Sequence, residues 1–552
     1  MAKKDNRGML LVTMQPEEDL PLEVFHEWYN NEHGPTRLKL PHIFPNGLRY
    51  RAADGKEPAF MASYDVTDMS HLETDTYTRL RANRSKREAR VISRVRVERH
   101  LLDLVLSSEK PNFTPIEQLS EEEADGLVLI TSQLTPRATG EKGDTVEAEE
   151  EISKWYEQEY IPLLSKVPGW QRSRLFKTST LERDKPAQFM ALHDFSRENG
   201  LAAGELHAAT STARAQEIWE KYATLTSQRE YSLFYIFAPG SRDLYNLGKA
   251  GQPQEVFEYD GTQTITSNDP WPNINSTITT PDGLRIPFRL EGSSEPGAPV
   301  VAFCNSLLTD LHMWDAFVRL LLQRRPKYRI LRYDFRGRGK IPQPPKPSTL
   351  DILADDLAHL MKALRIEKLD TLIGVSMGGA TALNFALRYP GRLGQFIACD
   401  FNASSSAANT AAWKERIQLF ETPAAPPGEH AGNVRLAVQT TERWFHPATL
   451  ERSDVVDTVK SMIVANDAEG FRYGCQALWD YDLRPRMPSC EVPGHFVVGE
   501  ADGKGALVKA MQAFTPLLGP EGRADLAVVP LAGHLPMVEQ PELFWKEVEK
   551  LL

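Results

Sequence analysis

Leu369-Asp370-Thr371-Leu372-Ile373-Gly374-Val375-Ser376-Met377-Gly378-Gly379-Ala380 is the stretch on which the fold turns. Its first five residues are mostly apolar and β-compatible, and residues 379–389 read as a small-residue helix stopped by Pro390-Gly391. Between a strand and a helix, the G-x-S-x-G pattern reads as a nucleophile elbow, a sharp turn that lifts the Ser376 hydroxyl above the sheet edge. Glycines flank the serine because side chains there would meet the crossing strand and helix.

Outward from the elbow, residues 275–552 read as one domain. Segments 276–280 and 284–290 flank Pro281-Asp282-Gly283 and predict a hairpin. Strands alternating with helices follow at 300–304, 328–333, 369–375, 395–399, 495–499 and 526–530. That alternation predicts a mostly parallel α/β sheet whose ligands bind beyond the carboxyl ends of the strands. The helix-rich residues 403–488 interrupt the series and are expected to cap that end.

A hydroxyl of high pKa needs a base, and the base needs a carboxylate to orient it. His534, just past the last strand, is the candidate base. Asp502, past the preceding strand, is the candidate acid, with Asp400 at the end of 395–399 as its rival. Chain order favours Asp502, because Ser, Asp, His is the order of α/β-hydrolases. An oxyanion hole needs backbone N–H groups aimed where negative charge develops. Met377 supplies one, and Leu307 in the loop 305–310 the other.

On Asn305-Ser306-Leu307, Thr309-Asp310-Leu311-His312-Met313-Trp314-Asp315, Arg332-Tyr333-Asp334, Arg336-Gly337 and the elbow, this half resembles the 3-oxoadipate enol-lactone hydrolases. Arg443-Trp444-Phe445 and Gly474-Cys475 fit that family's cap. The resemblance implies an α/β-hydrolase fold with a helical cap and a serine hydrolase cleaving a lactone or ester through an acyl-enzyme. Ser306, Leu308, Trp413 and Trp444 are the candidate pocket residues. Leu308 stands where the family usually has Gly, and Arg338 where it usually has His. The same triad also serves C–C bond hydrolysis of the retro-Claisen type, and an inherited but silent elbow would leave a binding protein.

The first half repeats itself. Strand, helix, two strands, helix, strand are expected at 9–14, 25–33, 47–51, 60–65, 69–80 and 91–97. The same order returns at 127–130, 152–160, 169–176, 189–194, 201–222 and 231–237. Each copy is a βαββαβ, ferredoxin-like unit, and two in tandem can cover each other's open sheet face. On Trp28-Tyr29-Asn30-Asn31-Glu32-His33-Gly34-Pro35 and Trp155-Tyr156-Glu157-Gln158-Glu159-Tyr160-Ile161-Pro162, this half resembles the EthD-like branch of the dimeric α+β barrel superfamily. The resemblance implies a tandem α+β barrel serving as a second enzyme or as a module that binds substrate or a partner. His33, at helical spacing with Phe25 and Tyr29, is expected to point into the barrel, as a general acid or base or as a core histidine. Tyr160 replaces it in the second copy. His33 and Tyr29 are the candidate site here. The expected boundaries are 1–118 and 119–245 for the repeats, 246–274 for a linker and 275–552 for the hydrolase domain.

The net charge of −11 over 552 residues, without a Lys/Arg-rich face, argues against nucleic acid. No run approaches the roughly 18 apolar residues of a membrane span, and residues 1–8 lack a signal peptide's apolar stretch. A cytoplasmic location is expected, with Cys304, Cys399, Cys475 and Cys490 as reduced thiols. No metal-ligand cluster, P-loop or dinucleotide fingerprint stands out, so no metal or cofactor is expected. The expected partner is a small-molecule substrate, with a homo-oligomer left open.

Overall fold

The computed structural model describes residues 6–138, 145–201, 210–338, 346–423, 431–520, 522 and 524–552. The chain divides into two units, Met1–Pro239 and Gly240–Leu552. In the first, eight strands close into a barrel: β1 (Gly8–Pro16), β2 (Leu48–Ala52), β3 (Phe60–Val66), β4 (Val95–Glu109), β5 (Val128–Pro136), β6 (Trp170–Thr178), β7 (Phe189–Phe195) and β8 (Ala223–Ile236). Their order is β1-β3-β2-β8-β5-β7-β6-β4. Each copy contributes four strands, and the β2–β8 and β4–β6 ladders join the copies, so neither is left with an open edge.

The pleat sorts side chains into two layers. Met9, Leu11, Met61, Leu192 and Tyr231 pack together in the lumen. On the outer face of the second copy, Ile130 and Leu175 pack against helix residues Ile152, Trp155 and Tyr160. Leu22–Trp28 and Val146–Trp155 each widen into a π-turn, at Tyr29–His33 and Tyr156–Tyr160. Pro35 and Pro162 explain the coincidence: neither can donate to the carbonyl four residues back, and the turn opens just before each.

Three expectations in this unit change. Residues 86–92 are a helix, Lys86–Ile92, started by Ser85 Oγ accepting Glu88 N at 2.9 Å, so the strand expected at 91–97 begins only at Val95. The helix expected at 69–80 is broken at Thr74. Of the helix expected at 201–222, residues 202–209 lie outside the described residues, and the rest is Ala213–Glu217 followed by a π-turn.

The second unit is built on β9 (Glu255–Tyr259), β10 (Thr262–Ser267), β11 (Asn273–Thr279), β12 (Arg285–Gly292), β13 (Val300–Cys304), β14 (Arg329–Tyr333), β15 (Leu369–Val375), β16 (Leu393–Cys399), β17 (Gly494–Gly499) and β18 (Leu526–Val529). They form one sheet in the order β18-β17-β16-β15-β13-β14-β12-β11-β10-β9. The six strands from β18 to β14 run parallel, and the remainder is an antiparallel extension. The linker expected at 246–274 is corrected: it carries the end of a helix, Leu244–Ala250, and the β9–β10 hairpin that lengthens the sheet. Asp260 and Gly261, at φ 49° and 68°, make the turn. Asp-Gly suits such a turn because both central residues need positive φ. Between β16 and β17 the described cap helices are Ala407–Glu421, Gly432–Trp444, Pro447–Leu450, Ser453–Val464 and Ala468–Gln476. Among the described residues, no helix is long and apolar enough to cross a membrane.

Candidate active site

β15 ends at Val375, and the helix Met377–Arg388 begins two residues later. Ser376, between them, is held at φ 59°, ψ −119°, where an L side chain is strained. A Cβ on Gly374 would lie 2.1 Å from the Gly378 carbonyl oxygen, and one on Gly378 would lie 2.1 Å from that of Cys304 on β13. Both glycines are therefore required by backbone contact, and the tight turn aims the serine out of the sheet. Ser376 N donates to Cys399 O at 2.8 Å, tying the turn to β16.

Met377 opens its helix, so its N–H has no intrahelical acceptor. Leu307, Met377, Ser306 and Leu308 line one small cavity of about 20 Å³. Both residues expected to supply oxyanion donors line this cavity, and of the two only Met377 also lines the main cleft with Ser376. Ser306 and Leu308, on the same loop as Leu307, lie outside the lining of the main cleft. Leu308 is buried at φ 76°, a conformation that favours glycine, and its carbonyl accepts Asn466 Nδ2 from the cap at 3.0 Å.

The main cleft has a volume of about 440 Å³, and Ser376, Asp502, His534, Trp413 and Trp444 all line it. His534 Nδ1 lies 2.7 Å from Asp502 Oδ2, and the ring stacks on Trp444 at 4.9 Å. Asp400 also reaches the cleft, but its Oδ1 accepts Gly499 N at 2.8 Å and the His534 hydrogen bond goes to Asp502. Burial, then the Asp502 charge beside it, pushes the Asp400 carboxyl well above the usual range. Of the two rival acids, Asp502 is the one bonded to the imidazole.

Arg416 and Arg443 line the same cleft, a place the sequence does not give either of them, although Arg443 belongs to the cap motif Arg443-Trp444-Phe445. Arg416 lies over the Trp413 ring, and neither guanidinium pairs with a carboxylate among the described residues. Burial first, then the neighbouring Arg416, lowers Arg443 to about 10, so it stays cationic at neutral pH. Among the described residues, no group of three or more His, Cys, Asp or Glu could hold a metal ion.

In the first unit, His33 does not point into the lumen. Tyr64, paired with Leu10, lies on the outer face of the barrel, opposite the lumen residues Met9 and Met61. Tyr29 packs under the helix with its hydroxyl 3.4 Å from that of Tyr64, and the His33 ring lies 4.7 Å from the Tyr29 ring. The helix therefore lies over the outer face, and its buried side carries His33 with it. His33 Nδ1 lies 2.8 Å from Glu88 Oε1, and burial, with Arg37 nearby, lowers the imidazole to about 4. The second copy also keeps an imidazole, from the strand: His193 stands at the position of Tyr64, after Phe189-Met190-Ala191-Leu192, and contacts Tyr160.

The Alpha/beta hydrolase family matches residues 302–547. This stretch is similar to 3-oxoadipate enol-lactonase 2 of Acinetobacter baylyi, 29% identical over 281 residues that cover 51% of this chain and 97% of that protein. It is similar to 3-oxoadipate enol-lactonase 1 of the same organism, 30% identical over 276 residues covering 48% and 92%. Among solved structures, the enol-lactonase from Burkholderia xenovorans LB400 aligns at 29% identity over 49% of this chain and 96% of that one, with a TM-score of 0.43.

Proposed function

Because its second unit makes this chain a member of the alpha/beta hydrolase family, we propose that it is a serine hydrolase opening a carboxylate-bearing lactone or ester through an acyl-enzyme. The observation that carries this reading is Ser376, held at a left-handed turn, sharing one cleft with the bonded His534–Asp502 pair. His534 takes the Ser376 proton as Oγ attacks the acyl carbon, while its Nδ1–H donates to Asp502. The tetrahedral oxyanion accepts the Leu307 and Met377 N–H groups. The carbon–oxygen bond then breaks, and the leaving oxygen takes the proton from His534. Water gives a proton to His534 and its oxygen to the acyl carbon, and Ser376 leaves with that proton. Arg416 and Arg443, uncompensated in the cleft, favour an anionic substrate. The names of the curated relatives make a carboxylated enol-lactone the class to try first.

Ser376→Ala should lower hydrolysis of such a lactone by at least about 10³-fold with the fold retained. Unchanged turnover in that variant would sink the reading. Offering wild type a matched β-diketone separates ester cleavage from C–C cleavage.

For the first unit we propose an EthD-like tandem of ferredoxin-like repeats with His33 as general acid or base, supported by its bond to Glu88. In a Ser376→Ala background that silences the other unit, turnover of aromatic or polyketide-like compounds should disappear on His33→Ala. Turnover that survives the substitution counts against that role.

A further inference from the structure

One buried carboxylate outside the reacting set touches both loops that shape the cleft. Glu539 is fully buried at the end of the helix Pro536–Glu539. Its Oε1 accepts Gly533 N at 2.9 Å and Leu535 N at 3.2 Å, the two amides that bracket His534. The amide between them, His534 N, donates to Trp444 O at 2.7 Å. The other oxygen, Oε2, faces the cap, where it accepts His446 N at 2.8 Å and Thr449 Oγ1 at 3.0 Å. Arg452 Nη1 donates to the Glu539 carbonyl at 2.8 Å. A Cβ on Gly533 would lie 1.9 Å from Trp444 O, so the two loops meet at backbone contact.

We infer that Glu539 is a positioning residue that, beside the direct bond from His534 N to Trp444 O, locks the His534 loop to the cap segment 444–449 and so holds the base and the cleft wall next to it in place. The inference rests on the reading of Ser376 and His534 as nucleophile and base. Four donors converge on two oxygens, and that convergence is what makes a buried carboxylate tolerable. It also makes the residue hard to replace. An amide of the same shape keeps one acceptor and turns an NH₂ toward two donors at the other. Whichever side loses its acceptor, either the amides beside His534 or the cap's hold on the loop is released.

The test is the rate at which a fluorophosphonate labels Ser376 in the full-length protein, alone and in a His534→Ala background. Glu539→Gln should slow labelling by about 10²-fold, the usual penalty for displacing a catalytic group by about 1 Å. In the His534→Ala background the same substitution should add nothing, because Glu539 acts through that side chain. Equal slowing in both backgrounds would overturn the inference and leave a merely structural role, and so would unslowed labelling in Glu539→Gln. Should Glu539→Gln fail to fold, Thr449→Val removes one cap-side bond while leaving the loop-side pair. Several-fold slower labelling is then expected, and an unchanged rate overturns the inference. If His534→Ala itself labels like wild type, the fault lies with the triad reading instead.

Discussion

Leu308 carries two opposed free energies. Its left-handed backbone costs about 1–2 kcal/mol for an L residue, while removing a buried leucine side chain costs about 2–5 kcal/mol. Burial wins, which explains how leucine persists where the resembling family usually has glycine. Leu308→Gly should therefore lower stability by about 2 kcal/mol, read as a shift in the urea midpoint of the full chain. A neutral or stabilising result would mean that strain dominates. Arg338, the other departure, donates to Thr309 O, Asp310 and Met462 O, three acceptors that an imidazole with two nitrogens could not serve. Ser376 was legible from its glycine-flanked elbow and His534 from its place past the last strand, whereas Asp502 shared such a place with Asp400 and only chain order favoured it. The places of Arg416, Arg443 and Glu539 at the site were not legible. Their character lies in which elements close around them, and a lone arginine or glutamate in a helix looks like any solvated one.

Elements were legible where local chemistry and packing agree. The strands β13, β15, β16 and β17 read as apolar runs because the central parallel strands are buried. The β9–β10 hairpin was missed because its strands are polar on one face, although Asp260-Gly261 was the available signal. Val91 and Ile92, which close the helix Lys86–Ile92, suggest the start of a strand because both are β-branched, a weak preference that the Ser85 cap overrides. The paired π-turns show the opposite case, where a repeated proline produces the same local irregularity in both copies.

At the scale of the molecule, the barrel buries imidazoles. His193 is pulled down to about 4 by burial, and His33 likewise. The neutral form is the one the folded state holds, so the full contribution is present above pH 6.5, the ordinary histidine value. Between there and about 4 the unfolded chain takes a proton that the folded one refuses, and stability falls as pH falls. Unfolding of the full chain followed from pH 7 to 4.5 should show a shallower acid slope in His193→Gln than in wild type. An unchanged slope would mean that His193 takes up protons freely in the fold. By itself, the sequence determined the repeat, the α/β class, the elbow and the order of Ser, Asp and His, because each follows from local periodicity and from position along the chain. Only the tertiary structure decided that His33 lies on the outer face of the barrel, that Asp502 and not Asp400 bonds His534, and that Glu539 joins two loops. Those facts depend on which surfaces the strands' pleat and register bring together, and a linear sequence carries no direct record of that.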